Sequence, residues 1–446
     1  MTDSEARPVS VLRGQHRPLI LALLGMMTCV AFESFAITTA LPVIAHDLDA
    51  ERWYSLAYAS TLTAALIGMT IGGNWADRRG VVVPLAVGGS TFVVGIALCV
   101  VAPTMEVFVA GRLLQGIGGG IDSVVVYVVI AQFIPAGLHP RVFGLLTAAW
   151  LLPGIAGPLV TGVVVEFVGW RTVFALVLIG SVASLMSLLI MVRGSTRLPT
   201  GTAVFGSRGV WAVVAAAGVL ALHYASQQEI GVLVPGTLCA VALIGLSATR
   251  LLPHGTFRIR PGIPRLTALR GLLGATVAAS DIYLPLYLQR QLDYSPTRSG
   301  LIVALGALGW IAGAWLQGRT SGRSDGHTLV RKAAVLVLIG PVSALLFMTG
   351  AIPVAALVGG CIVMGTGMGM AYPRITATVL AESTEDKQGT NSSALQIAES
   401  MSQSILIAVT GAVLSLAIAH EFTIAYSVVV GVGGVAVLVA CQSVRR

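Results

Sequence analysis

Apolar runs of about 20 residues recur along nearly the whole chain, and a helix needs roughly that many to cross the ~30 Å hydrocarbon core of a bilayer. Such runs lie near 18–44, 54–75, 82–102, 105–134, 141–167 and 171–193. Six more lie near 267–289, 296–317, 330–350, 352–378, 389–419 and 421–442. Two shorter runs, near 209–226 and 231–250, stand between these sets. If every run spans, the chain crosses fourteen times; if the middle pair forms one re-entrant hairpin, it crosses twelve times. Composition agrees with lipid as the main solvent. Of the 446 residues, 56% are hydrophobic and 10% are charged, against roughly 25% charged in a soluble domain. That is too little charge to coat a soluble globule. The expected fold class is an all-α membrane protein.

The basic residues set the orientation. Placing the N-terminus in the cytoplasm puts Arg78, Arg79, Arg141, Arg193, Arg197, Arg208, Arg250, Arg258, Arg260, Arg265, Arg270, Arg319, Arg323, Arg331, Lys332 and Arg374, among others, in inner segments. Outer segments receive only Arg52, Arg171, Arg290 and Arg298. Omitting one span would invert everything after it, so the count is even and both termini are expected in the cytoplasm. The net charge of +8 follows from this bias; the basic residues are scattered between apolar runs and form no nucleic-acid-binding domain. The polar N-terminal stretch precedes an apolar run too long for a signal-peptide core, with no small-residue cleavage site after it, so it reads as an uncleaved first helix. Segments 194–208 and 251–266 are rich in Arg, Gly and Pro and read as cytoplasmic connectors. Three units are expected: 1–194, a linker region with two additional helices at 195–265, and 266–446. Lys332 and Lys387 are the only lysines, and arginine bias with abundant Ala, Val and Gly suggests a high-GC bacterium, hence an inner-membrane location.

Several functions are excluded by what is missing. A phosphate-binding loop requires Gly-Lys-Ser/Thr, and neither lysine follows a glycine, so energy must come from an ion gradient or another chain. No His-Glu-x-x-His occurs, which argues against an intramembrane metalloenzyme. No repeated filter or ring of charge points to a channel. The five cysteines sit inside apolar runs with no metal or redox spacing, and no cofactor is expected.

The motifs carry a resemblance. Residues 73–80 read Gly73-Asn-Trp-Ala-Asp77-Arg78-Arg79-Gly80 in the loop between the second and third runs. They resemble the Gly-x-Leu-Ala-Asp-Arg-x-Gly signature of the major facilitator superfamily. The usual basic residues after the final glycine are replaced by Val81, Val82 and Val83. The fourth run reads Arg112-Leu-Leu-Gln115-Gly116, similar to the family's Arg-x-x-Gln-Gly pattern. In the first run, Phe32-Glu33-Ser-Phe-Ala-Ile-Thr38-Thr39-Ala40-Leu41-Pro42 resembles a stretch of drug:proton antiporters, with Glu33 in place of their aspartate. The fifth run contains Pro153-Gly154-Ile-Ala-Gly157-Pro158 and then Gly162, resembling the antiporter motif. Leu284-Pro285-Leu-Tyr287-Leu-Gln289, followed by Ser295-Pro296 and Ser299-Gly300, resembles the start of the second bundle in that family. Its fourteen-span branch also carries two extra central helices. The resemblance implies two six-helix bundles with substrate between them. It implies that Asp77, Arg78, Gly73 and Gly80 form a conformational latch, and that Pro153, Gly157, Pro158 and Gly162 favour exchange over symport.

Glu33 lies about 11 residues from the outer end of its run and Arg112 about 7. At ~1.5 Å per residue they differ in depth by roughly 6 Å, within an arginine's reach. A carboxyl that protonates in one state and pairs with Arg112 in another is a workable proton carrier; a static structural pair is the alternative. Asp122, Asp281 and Glu399 also fall inside runs, Glu399 on a polar stripe with Ser392, Gln396 and Gln403. Asp122 is assigned with Glu33 and Arg112 to proton coupling. Glu166 and Asp47 lie near span ends and are expected in solvent. Four carboxyls against one arginine bias the cavity toward lipophilic cations and protons. Thr38, Tyr58, Tyr127, Trp150, Asp281, Tyr283, Tyr287, Gln396 and Glu399 are the expected cavity residues, with Tyr372, Met364, Met368 and Met370 as further adaptable surface. The expected function is proton-coupled export of lipophilic small molecules by a monomer. Export of a lipid, siderophore or other cell metabolite is the alternative.

Overall fold

The computed structural model describes residues 16–135, 138–193, 206–225, 230–320, 326–384, 388–415 and 420–442. Fourteen α-helices lie among them. The first six are α1 (Arg17–Asp47), α2 (Tyr54–Arg79), α3 (Val82–Val101), α4 (Met105–Phe133), α5 (His139–Phe167) and α6 (Trp170–Met191). Next come α7 (Ser207–Ala225) and α8 (Ile230–Leu251). The last six are α9 (Ile263–Gln291), α10 (Pro296–Thr320), α11 (Gly326–Met348), α12 (Val354–Glu382), α13 (Gln388–Ser415) and α14 (Glu421–Gln442). Twelve of these, all but α7 and α8, are long and apolar enough to cross a membrane. The apolar stretches of α7 and α8, Gly209–Ala225 and Pro235–Leu251, are shorter. The 19 and 22 residues of the two helices still give roughly 28 and 33 Å at ~1.5 Å per residue.

Packing divides the long helices into two sets of six with matching contacts. In the first set α2 packs on α4, α3 on α4, α1 on α5, α1 on α6 and α3 on α6. In the second, α10 packs on α12, α11 on α12, α9 on α13, α9 on α14 and α11 on α14. Each pair maps onto its counterpart when α9 is matched to α1 and the rest follow in order. The sets meet along two seams, α5 on α10 and α2 on α13, which that same matching exchanges. The arrangement is therefore a pseudo-two-fold pair of six-helix bundles. The α7–α8 hairpin lies against α2 and α13, over one seam.

The tightest contacts inside each bundle rest on small residues. In a bilayer, helices associate by close van der Waals packing, which small residues permit. A β-carbon added at Gly120 of α4 would strike the Ala65 carbonyl oxygen and lie 3.0 Å from Ala65 Cα on α2. Gly369 of α12 holds the matching place. A β-carbon there would strike the Trp310 carbonyl oxygen and lie 2.8 Å from the Ala314 nitrogen on α10. Gly120→Val is expected to destabilise the folded protein by about 1–3 kcal/mol or more, since backbone cannot yield as a flexible side chain can. Gly119→Ala is the control, because its nearest neighbour, a Phe92 ring carbon, lies at 3.5 Å. Thermal unfolding in detergent, followed by size-exclusion chromatography, checks both: loss for the first and wild-type behaviour for the second.

Candidate functional site

An ion pair lies at the heart of the first bundle. Glu33 of α1 and Arg112 of α4 pair through Oε1 and Nη1, with side chains only 3% and 2% exposed. Arg112 Nη1 also donates to Gln115 Oε1 at 2.9 Å, and its Nε donates to the Ala57 carbonyl of α2 at 3.4 Å. Thr61 of α2 donates to the Arg112 carbonyl at 3.1 Å. Three helices thus converge on one guanidinium. A buried pair is tolerated only when its remaining donors and acceptors are satisfied, and removing one partner costs roughly 3–5 kcal/mol. Thr38, a turn and a half beyond Glu33, is buried and donates to the Phe35 carbonyl of its own helix.

The second bundle holds another charged cluster. Arg270 Nε of α9 donates to Glu399 Oε2 of α13 at 2.7 Å. Tyr372 of α12 donates its hydroxyl to Glu399 Oε1 at 2.6 Å, and Gln403 donates to the same oxygen at 3.4 Å. This corrects the sequence reading twice. Arg270 is not a loop residue: α9 begins at Ile263, which places Arg270 on the third turn inside the helix. The cavity consequently has more than one arginine, and Glu399 is neutralised locally. The apolar residues on both sides of Arg270, Leu266, Ala268 and Leu269 before it and Leu272 and Leu273 after it, were the signal in the sequence.

The other carboxyls separate. Asp122 is fully buried and faces α3, where a β-carbon on Gly88 would lie 2.7 Å from its Oδ1; it is set apart from the Glu33–Arg112 pair. Neither Asp122 oxygen has a hydrogen-bond partner among the described residues. Asp281 is half-buried and lies close enough to Tyr58, Cys361 and Tyr426 to act on them electrostatically. No cation pairs with it among the described residues. Asp47 and Glu166 are exposed, as expected near span ends, and each also accepts hydrogen bonds. Asp47 accepts from Trp170 Nε1 at 2.9 Å and from Arg171 at 3.0 Å. Glu166 accepts the Thr297 backbone N–H at 3.3 Å, capping the N-terminus of α10 from the opposite bundle.

The aromatic residues also sort themselves. Tyr283 is buried, donates to the Ile407 carbonyl at 2.6 Å and stacks obliquely on Tyr54 at 6.0 Å, so it belongs to the seam. Tyr287 packs edge-on against Phe347 and Phe422, inside the second bundle and away from the cavity assigned to it. Tyr58 is half-buried, Tyr127 and Trp150 are 54% and 41% exposed, and Gln396 is exposed.

Polar contacts between the bundles cluster toward the end opposite the start of α1 and the end of α14. Tyr54 donates to the Ile282 carbonyl at 2.8 Å, and Gln289 to the Thr39 carbonyl at 3.3 Å. Arg290 pairs with Glu51 at 3.0 Å, and Thr63 bonds Ser404 at 3.3 Å. The antiporter-motif residues sit at the other seam. A β-carbon on Gly162 would lie 2.7 Å from Thr297 Cα, and one on Gly300 would meet the Pro158 carbonyl. Gly157 and Gly154, with Pro153 beside them, face Phe32 and Phe35 of α1. Above the closed seam a vestibule of about 680 Å³ is lined by Glu51, Tyr54, Tyr283 and Arg290 among others. At the α2–α3 corner Gly80 has φ +72°, a left-handed conformation that glycine adopts without steric cost. Arg78 and Arg79 are exposed; the Asp77 side chain and the Gly73 position lie outside the described set.

Two pseudo-symmetric six-helix bundles, each holding an ion pair among its own helices, have the architecture of a membrane transporter. The family model of the Major Facilitator Superfamily matches residues 23–407, and the chain belongs to that superfamily. It is 26% identical to a probable multidrug-efflux transporter of Mycobacterium tuberculosis strain H37Rv, over 85% of this chain and 83% of that protein. It is 22% identical to multidrug resistance protein 3 of Bacillus subtilis, over 93% and 83% of the two chains. The fold is also that of a POT family transporter solved with 5-aminolevulinic acid. That likeness has a TM-score of 0.73 at 14% identity and covers 96% of both chains.

Proposed function

We propose that this transporter exports lipophilic small molecules, organic cations among them, in exchange for protons by alternating access. The observation that carries the reading is the Glu33–Arg112 pair, a titratable carboxyl held by a guanidinium inside the membrane at under 5% exposure. An intramembrane ionisable pair is costly and marks an ion or substrate pathway. Protonation of Glu33 dissolves the pair and leaves Arg112 on the bonds it already makes to Gln115 and the Ala57 carbonyl; deprotonation restores it. The two states differ in how α1, α2 and α4 are tied, which is the differential interaction a coupled transporter requires. Names borne by the relatives support efflux, and the Gly157-Pro158 segment at the seam supports exchange.

The bundles, 1–194 and 266–446, rock as units, with 195–265 carrying the central hairpin across one seam. With both termini cytoplasmic in the inner membrane, the closed seam faces outward and this is the inward-facing state. Exposure of Tyr127, Trp150 and Gln396 then reflects an open inner mouth. The 73–80 corner acts as the latch of the opposite state. Asp281 lies at the centre with Tyr58 and supplies an acidic contact for cargo. Asp122, buried at the α3–α4 interface, is a second proton site. Purified protein in proteoliposomes is expected to move a fluorescent lipophilic cation against its gradient when a pH jump is imposed. An uncoupler should stop that movement; accumulation indifferent to the pH jump would overturn the coupling.

A further inference from the structure

We infer that the second bundle contains an organic-cation site which Arg270 occupies as an internal stand-in, and from which transported cations displace it. The inference rests on the export reading for its cargo class, but its geometry is independent of proton coupling. The Arg270 guanidinium carbon lies 3.5 Å from the centroid of the Tyr372 ring. Its Nε reaches Glu399 at 2.7 Å and its Nη1 donates to Thr376 Oγ1 at 3.2 Å. Trp310 of α10 meets Tyr372 edge to face at 5.5 Å, holding the ring in place. An aromatic face, a carboxylate and a hydroxyl gathered around a planar cation are the elements by which proteins recognise organic cations.

Space for this seat is built into α9. A β-carbon on Gly274, one turn beyond Arg270, would lie 2.8 Å from Tyr372 Oη, 2.9 Å from Glu399 Cγ and 3.3 Å from Gln403 Nε2. A glycine there lets Tyr372 and Glu399 close together without either side chain being displaced. The site is also reachable. Arg270 and Glu399 are 14% and 17% exposed, unlike the sealed pair of the first bundle. Ser392 is half-buried and Gln396 exposed, and they continue the polar stripe of α13 from Glu399 toward its N-terminal end.

The charge balance selects a cation over an anion. With Arg270 seated, the cluster is neutral. A monovalent organic cation that replaces the guanidinium preserves that neutrality, the charge opposite Glu399 and the face of Tyr372. An anion would instead have to displace Glu399 from Arg270 and leave a carboxylate half-buried without its partner, which is the more costly exchange. Arg270 is unbranched to its guanidinium, so it has a long arm by which to withdraw toward the nearby helix start and its water.

The test is equilibrium binding of radiolabelled tetraphenylphosphonium to purified protein in lipid nanodiscs, with no gradient. Triphenylphosphine oxide serves as the neutral comparator. Arg270→Gln is expected to bind the cation at least about tenfold more tightly than wild type, with the neutral compound unchanged. Adding Glu399→Gln or Tyr372→Leu to that variant should remove the gain. Arg270→Lys keeps the charge without the planar stack and should fall between, which serves if the glutamine variant does not fold. Cation affinity that is unchanged or weaker in both Arg270 variants overturns the inference, as does a gain that survives loss of Glu399 and Tyr372. A binding gain without proton-driven efflux would leave this site standing and remove the export reading; efflux without a gain would do the reverse.

Discussion

Glu33→Gln is expected to reduce pH-gradient-driven efflux to the level of protein-free vesicles while the protein still assembles in the membrane. Glutamine has nearly the volume of glutamate and offers an amide oxygen to Arg112, but it has no proton to carry in this range. Arg112 keeps its bonds to Gln115 Oε1 and the Ala57 carbonyl, so the junction of α1, α2 and α4 retains most of its partners. A buried cation without its counter-charge still costs stability, roughly 3–5 kcal/mol when the partner is simply removed. A lowered unfolding temperature should therefore accompany the loss, partly offset by the amide. Counterflow separates coupling from structure. Exchange of labelled for unlabelled substrate across the vesicle needs no net proton movement, so it should persist in the variant if Glu33 carries the proton. Loss of counterflow together with efflux would mark the pair as structural, and full efflux would remove Glu33 from coupling altogether.

How much of this arrangement the sequence discloses depends on the range over which each feature is specified. The long helices are local: a run such as Trp170–Met191 is apolar on every face, and length alone identifies it. Glu33 and Arg112 are legible because depth in a helix can be counted at ~1.5 Å per residue, and few charges compete at that depth. Arg270 was counted with the inner segments although the run near 267–289 already contained it; α9 starts at Ile263, which puts Arg270 on the third turn of the helix. Its partner Glu399 lies 129 positions away, a distance at which no local pattern operates. The seam residues are hidden for the same reason. Nothing near Glu51 announces Arg290, and nothing near Glu166 announces the α10 N-terminus. Tyr287 was assigned to the cavity as an intramembrane aromatic; the face it presents is set by Phe347 and Phe422, which only the packing reveals. One long-range feature was available in principle. Gly365-x-x-x-Gly369 on α12 repeats Gly116-x-x-x-Gly120 on α4, and both pack on the second helix of their bundle.

That two-fold logic makes the α2–α13 seam the most demanding place to test movement. Thr63 and Ser404 lie across it with their hydroxyls 3.3 Å apart, both buried. With cysteine at both positions, the sulfurs need approach only by ~1 Å to reach the ~2.05 Å of a disulfide. In a background where Cys29, Cys99, Cys239, Cys361 and Cys441 are replaced by serine or alanine, oxidation of Thr63→Cys/Ser404→Cys should tie the bundles at this seam. Turnover is expected to stop, and to return when the bond is reduced. Binding of ligand from the open mouth should continue at unchanged affinity, because the bond fixes the state already present without touching the Arg270 cluster or the Glu33 pair. That combination distinguishes a locked transporter from a damaged one. Each single cysteine variant, treated with the same oxidant, should transport normally. If mass spectrometry shows complete cross-linking and efflux proceeds undiminished, the seam does not open in the cycle and rocking of the two bundles about it is wrong.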